Sequence, residues 1–116
     1  MSTQRDPLFL VEMIDAAERI MGLVGERTAA ELDADELRRH AILWNLTVLG
    51  EAATQLSDDL KADHPEVVWS DPIRLRNRLV HGYWSIEMQV VVATAADDLR
   101  PLTEQLRAVV ESQPEA

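Results

Sequence analysis

The sequence lacks cysteine altogether, and its 116 residues include only one lysine and five aromatic side chains. Without cysteine, disulfides, thiolate zinc sites and cysteine nucleophiles are excluded. No apolar run approaches the roughly 18 residues that suggest a membrane span, and the first residues lack the basic and apolar regions of a signal peptide. We therefore expect a cytoplasmic protein without a membrane segment, whose three histidines remain as candidate catalysts.

The charge is strongly acidic, with 21 acidic and 11 basic side chains and a formal net charge of −10. This balance argues against broad, nonspecific binding to nucleic acid, because such proteins usually carry a basic face that releases counterions. Residues 72–86 depart from the average, since they contain three arginines and no acid. The sequence therefore places a small positive island in an acidic body.

Apolar residues recur at three- and four-residue steps through most of the chain, which is the period of amphipathic helices. The pattern predicts an all-α, up-and-down helical bundle of four to five helices. One domain occupies residues 1–116, with an ordered core at about residues 6–111. The predicted helices span about residues 6–22, 33–63, 71–82 and 85–111, and residues 23–33 form a connection that could itself be partly helical.

Local signals set these boundaries. Asp33 and the glutamate three residues later form a candidate capping box for the second helix, which ends before Pro65. Asp71 is the predicted N-cap of the third helix, and Gly82 should end it. Pro101 should kink the fourth helix.

The third helix carries the richest chemistry, because Arg76 to Tyr83 gathers a guanidinium, a carboxamide, an imidazole and a phenol within eight residues. At about 100° per residue, Arg76 falls between Leu79 and Val80 on the apolar side that faces the bundle. Its charge there needs a partner or an anionic ligand to offset desolvation. We therefore expect Arg76 to point inward.

The opposite face of this helix holds Asn77, His81, Arg74 and Arg78. Asn77 and His81 are four residues apart, close enough for a hydrogen bond that sets the imidazole tautomer. Arg76 and His81 lie about 140° apart on a continuous helix. They converge only if the helix unwinds near His81, which the glycine that follows would permit. Arg74 and Arg78 are expected to form an exposed rim.

The second helix offers a partner for the inward arginine. Trp44, Val48, Glu51 and Gln55 follow the steps of one helical stripe. Glu51 is therefore a carboxylate among apolar neighbours, and we expect it to position Arg76. Helical spacing alone leaves open whether such a pair is structural or functional.

The order of these motifs resembles a known family. Arg76-Asn77-x-x-x-His81-x-Tyr83 is similar to the signature of HEPN-domain proteins, in which an arginine and a polar residue precede a histidine and a tyrosine. The resemblance extends to the HepT subfamily and to roughly residues 8–110 through Gly50-Glu51-Ala52, Pro65-Glu66-x-x-Trp69 and Asp98-Leu99-x-Pro101-Leu102.

The resemblance implies a metal-independent endoribonuclease toxin that needs no cofactor and is paired with a minimal nucleotidyltransferase antitoxin. It implies that His81 is the acid/base residue, that Arg76 binds the scissile phosphate and that Asn77 orients both. It further implies that the antitoxin attaches AMP to Tyr83 and thereby blocks the site.

The implied chemistry favours a homodimer. Attack by the ribose 2′-hydroxyl needs a base, an acid and a cation for the phosphorane charge. One chain supplies only His81 in the motif, because His40 and His64 are expected to be solvated surface groups. Two copies related by a two-fold axis would supply both proton-transfer groups. The resemblance also implies dimers with a composite cleft.

Two other functions remain open at this stage. The chain could be a non-catalytic adapter that binds a nucleotidyltransferase, or a plain dimeric bundle in which Arg76 and Glu51 form a structural ion pair. We expect no metal site at the helix-end acids Asp58, Asp59 and Asp63, which lack a suitably spaced histidine. Trp69 and Trp84 are expected to pack in the core or in a dimer contact rather than stack on bases.

Overall fold

The computed structural model describes residues 5–82 and 86–114. Within these ranges seven α-helices follow one another, and they confirm the predicted all-α class. They are α1 (Asp6–Val24), α2 (Ala29–Ala34), α3 (Glu36–Gln55), α4 (Asp58–Asp63), α5 (Ser70–His81), α6 (Met88–Asp97) and α7 (Leu99–Ser112). None of the helices in these ranges is long and apolar enough to span a membrane.

The core is centred on α1 and α3, which pack along each other, while α5 lies against α3 and α7 lies against α1. Leu10, Met13 and Ile20 on α1 are fully enclosed, as are Ile42 and Leu43 on α3. Each such side chain contributes about 1.5–3 kcal/mol by leaving water. The α1–α3 pair is therefore a rigid platform for α5.

The connection predicted between the first two helices contains the short helix α2. Thr28 starts it through a capping box, in which Thr28 Oγ1 accepts from the Glu31 N–H at 3.2 Å and Glu31 Oε1 accepts from the Thr28 N–H at 3.0 Å. That backbone hydrogen bond holds the pKa of the Glu31 carboxyl below its usual value. The capping box predicted at Asp33 is wrong, since Asp35 caps α3 by accepting from the Arg38 N–H at 3.1 Å.

The second predicted helix, 33–63, is divided in two. Gln55 ends α3, and Leu56 adopts an extended conformation. Ser57 then caps α4, because its Oγ accepts from the Leu60 N–H at 3.2 Å. The fully buried carboxylate of Asp6 accepts from the Ser57 N–H at 2.9 Å and the Ser57 hydroxyl at 2.6 Å. The break therefore ties the start of α1 to the start of α4.

The last predicted helix is also divided, at Asp98. Pro101 has no N–H to bond the Asp97 carbonyl four residues earlier, and its ring crowds that carbonyl. The chain turns there with Asp98 at φ −112°, and Leu102 resumes the helix by donating to the Asp98 carbonyl at 3.1 Å. The proline thus breaks the helix one turn upstream, where a kink was expected at Pro101 itself.

The ends of α5 lie close to the predicted positions. Ser70 is its first residue and Asp71 lies in its first turn, but no side chain caps this end. Gly82 ends it as predicted, donating its N–H to the Arg78 carbonyl at 2.9 Å. Trp69 is buried just before the helix and donates its indole N–H to the His64 carbonyl at 3.0 Å. Of the two environments predicted for Trp69, the core or a dimer contact, the structure shows the core.

Gly50 sets the distance between α3 and α5. A Cβ atom at this position would lie 2.2 Å from Arg76 Cβ and 2.6 Å from the Pro72 carbonyl oxygen. The Pro72 oxygen is a backbone atom, and Arg76 Cβ is bonded directly to the backbone. Neither atom can move away without a shift of α5. The hydrogen atom of glycine therefore permits the close contact that places Arg76 against α3.

Substitution by alanine should have opposite effects on the free energy of unfolding at the two glycines that lie within helices. Gly22→Ala on α1 meets nothing within 4 Å, so it should raise the free energy of unfolding by up to about 1 kcal/mol through helix propensity. Gly50→Ala should lower that free energy by about 1–3 kcal/mol, because the overlap outweighs the propensity gain. Equilibrium denaturation in urea at one protein concentration measures both. A Gly50→Ala protein as stable as Gly22→Ala would contradict the close contact.

Candidate active site

Arg76 lies in the contact between α5 and α3. Its side chain is only 23% exposed, and its Nε is 3.3 Å from Glu51 Oε2. The Nε–H is buried and has no aligned hydrogen-bond acceptor among the described residues, so the pair is held by charge rather than by a hydrogen bond. An arginine in this state is under-solvated and gains from an additional anion. The inward direction of Arg76 and its proximity to Glu51 agree with the sequence pattern.

Glu51 faces outward from the same contact. Its side chain is 54% exposed and lines a shallow groove of about 260 Å³ between α1 and α3, together with Phe9, Trp44 and Val48. An exposed carboxylate retains most of its hydration, so the pair with Arg76 adds little stability. Glu51 therefore lies between this groove on one side and the partly buried guanidinium of Arg76 on the other.

Two exposed apolar side chains border this pair. Trp44 is 65% exposed and lines the groove that contains Glu51. Val80, four residues after Arg76 and therefore on the same side of α5, is 63% exposed. The expectation that Val80 is buried in the bundle is therefore wrong. We refer to Trp44, Glu51, Arg76 and Val80 as the arginine face.

His81 is the last residue of α5, and the helix remains regular up to it. The unwinding expected near His81 therefore does not occur before Gly82. On a continuous helix, positions 76 and 81 are about 140° apart in direction and about 7.5 Å apart along the axis. Asn77, four residues before His81, is exposed. One chain thus places position 81 away from the arginine face.

Arg74 and Arg78 are both exposed, as expected for a rim. Arg74 pairs with Asp71 one turn earlier on α5. Arg78 makes no side-chain hydrogen bond or ion pair with any residue in the described ranges. Both arginines line a second groove between α5 and the junction of α6 with α7.

The remaining histidine and metal predictions have different outcomes. His40 is exposed, as expected. His64 is only 19% exposed and lies with Nδ1 3.4 Å from Glu66 Oε2, so the expectation of a solvated His64 is wrong. Within residues 5–82 and 86–114, no group of three or more histidine, aspartate or glutamate side chains is arranged to hold a metal ion. Tyr83 and Trp84 lie outside the described residues, so the roles predicted for them stay predictions.

Two residues of this region escaped the sequence reasoning. The sequence pattern gives Gly50 no role beyond its place in Gly50-Glu51-Ala52, although a glycine amid good helix formers is also the signal of a close approach between backbones. Val80 was assigned to the core by its angle alone. Angular position shows which side of α5 a residue occupies, but not how far the neighbouring helix extends.

The comparisons with known proteins agree with the resemblance to HepT. A family model described as ribonuclease HepT-like matches residues 13–109. A protein of Thermococcus cleftensis named "Probable ribonuclease HepT" is 28% identical over 94 residues, covering 81% of this chain and 86% of the relative. A protein of Methanocaldococcus jannaschii named as a candidate RNase is 26% identical over 105 residues, covering 87% of each chain. No solved structure matches the chain. Because the family model spans nearly all of α1 through α7, the chain belongs to the ribonuclease HepT-like family.

Proposed function

We propose that this protein is a cytoplasmic, metal-independent endoribonuclease that acts as a homodimer and cleaves RNA by attack of a ribose 2′-hydroxyl. The observation that carries the proposal is the under-solvated guanidinium of Arg76, held 3.3 Å from Glu51 on the helix that ends at His81. The names of the relatives as ribonucleases support the same activity.

Each side chain has a defined role in this reaction. The imidazole of His81 removes the proton of the 2′-hydroxyl, or protonates the 5′-oxygen that leaves. The guanidinium of Arg76 binds the scissile phosphate and stabilises the added charge of the phosphorane. Glu51 holds Arg76 in place, and Asn77 orients the imidazole. The products carry a 2′,3′-cyclic phosphate and a 5′-hydroxyl.

A second copy of the chain completes the site. The directions of positions 76 and 81 on α5 differ by about 140°, so one phosphate does not readily meet both from a single chain. Trp44 and Val80 leave apolar surface uncovered beside Arg76, and aromatic residues of this kind are typical centres of protein interfaces. A two-fold dimer across the arginine face, with its axis near the C-terminal end of α5, would bring two copies of Arg76 and His81 around one cleft.

The activity is controlled by a partner. We infer that a minimal nucleotidyltransferase acts as the antitoxin and transfers AMP from ATP to Tyr83. The phenol oxygen bonds to the α-phosphorus, pyrophosphate leaves and the phenol proton goes to solvent. Tyr83 follows His81 by two residues, so the added bulk and negative charge would obstruct the RNA phosphate. This role of Tyr83 rests on the family resemblance.

RNA cleavage in the presence of a chelator tests the proposed activity. The unmodified protein should cut a single-stranded oligoribonucleotide and leave 2′,3′-cyclic phosphate ends. Arg76→Gln should lower kcat/KM by about 10²–10³ and His81→Ala by about 10²–10⁴, because each removes an interaction with the reacting phosphate. Arg19→Gln on the exposed side of α1 is the control for loss of one positive charge.

Glu51→Gln refines this measurement, because it keeps the size of the side chain and removes its charge. It should reduce kcat less than Arg76→Gln does, since the guanidinium stays but is positioned less well. Cleavage that is unchanged in both Arg76→Gln and His81→Ala would refute the site. An unmodified protein that binds a nucleotidyltransferase tightly but cuts no RNA would instead favour the adapter function.

Intact-mass measurement tests the proposed control. Incubation with the nucleotidyltransferase and ATP should add one or more AMP units to the protein and abolish cleavage. Tyr83→Phe should show neither change, while it keeps the unmodified activity within a few-fold. AMP added equally to Tyr83→Phe would place the modification at another residue and contradict the assignment.

A further inference from the structure

The second groove, between α5 and the junction of α6 with α7, is separate from the arginine face. Its volume is about 520 Å³. The aliphatic side chains of Leu49, Leu75, Leu99 and Leu102 line much of it. Pockets of about 300–1,000 Å³ with an apolar lining and a few polar groups are the usual form of small-ligand sites. The groove therefore has the size and lining to take a compact ligand.

Opposite charges line this groove without meeting. Arg78 stands on the α5 wall, and Asp97 and Asp98 stand on the wall formed by the end of α6 and the start of α7. None of the three side chains has a hydrogen bond or an ion pair to another residue in the described part of the chain. By contrast, Arg74 on the same wall pairs with Asp71. Beside the Arg74–Asp71 pair, the groove thus offers a ligand one cation and two carboxylates that have no partner among the described residues.

A ribonucleotide unit matches these groups one by one. Its phosphate is an anion suited to the fork of an arginine. Its 2′-hydroxyl can donate to a carboxylate, which accepts only. The face of its base is apolar and can lie on leucine side chains. Two carboxylates would repel a second phosphate in the same groove, so the arrangement suits a single nucleotide.

The volume favours a nucleotide over a partner helix. An α-helix about 10–12 Å wide with a rise of 5.4 Å per turn occupies about 500 Å³ per turn. Helices that dock in grooves use anchors over two turns or more. A groove of about 520 Å³ is comparable in size to one such turn, so it suits a compact ligand such as a nucleotide better than a helix anchored over two turns.

We propose that this groove binds one nucleotide of the RNA substrate outside the cleaved bond, with its phosphate on Arg78 and its 2′-hydroxyl on Asp97 or Asp98. Arg78 precedes His81 by three residues, so the two positions lie on neighbouring turns of α5. Substrate held here would therefore approach the helix end that carries His81. The inference rests on the proposed ribonuclease function, to which it adds a subsite that selects RNA over DNA.

Steady-state kinetics test the phosphate contact. Arg78→Gln should raise KM for an oligoribonucleotide about tenfold and leave kcat within twofold, because a charge-assisted hydrogen bond away from the cleaved bond contributes to binding alone. Arg19→Gln has the same charge change on α1 and should leave KM within twofold. A KM for Arg78→Gln equal to that of Arg19→Gln would overturn the phosphate contact.

Single 2′-deoxy substitutions along the oligonucleotide test the carboxylates. With the unmodified protein, removing the 2′-hydroxyl at one nucleotide outside the cleaved bond should raise the KM for the oligonucleotide about fivefold. In Asp97→Ala/Asp98→Ala the same position should show no penalty. The readout is the ratio of the KM for the deoxy oligonucleotide to the KM for the all-ribose one, because removing two acids also strengthens RNA binding in general by removing long-range repulsion. A penalty that persists in the double variant, or that appears at no position, would overturn the assignment.

The remaining outcomes separate this inference from the proposed function. If the protein cuts no RNA, the proposed function fails, and binding of a labelled oligoribonucleotide still tests the groove through a tenfold loss in Arg78→Gln. If Arg78→Gln weakens binding of free AMP but leaves RNA binding unchanged, the groove takes free nucleotides and the RNA subsite is refuted. If it weakens binding of a nucleotidyltransferase alone, the groove docks a protein and the proposal is wrong.

Discussion

The close approach of α3 and α5 at Gly50 is the contact on which the candidate site depends. With no Cβ on Gly50, the backbone of α5 at Pro72 and the first atoms of the Arg76 side chain lie directly against α3. That contact places the guanidinium beside Glu51 and removes its Nε from water. A larger residue would separate the helices and allow Arg76 to turn toward solvent. The reactivity proposed for Arg76 thus depends more on backbone packing than on its ion pair, because the Glu51 carboxylate is half exposed to solvent.

α5 separates its charged residues into two sides. Arg76 lies on the arginine face, whereas Arg78 lies on the groove between α5 and the junction of α6 with α7. The acidic body around them lowers the affinity for nucleic acid in general, so binding must come from a few specific contacts. A dimer cleft for the scissile phosphate and a groove for a flanking nucleotide would supply such contacts at two ends of one substrate.

Sequence reasoning predicted the helical class, the ends of α5 and the proximity of Arg76 to Glu51, because these follow from period, glycine and local angle. It missed the division of the second helix, because Ser57 at the start of α4 is held by hydrogen bonds to the buried Asp6, 51 residues earlier. It also misplaced Val80 and overlooked Gly50. Each of these errors concerns a contact between distant segments, which periodicity along one helix does not contain.

In the proposed mechanism the active site is incomplete within one chain. The most direct test follows specific activity as the protein is diluted through its monomer–dimer transition, with the dimer fraction measured by sedimentation under the same conditions. Activity per chain should fall in proportion to the dimer fraction, and Trp44→Ser, which weakens the arginine face, should move both curves to higher protein concentration. Activity per chain that stays constant while the dimer dissociates would show that one chain suffices, and would contradict the composite site.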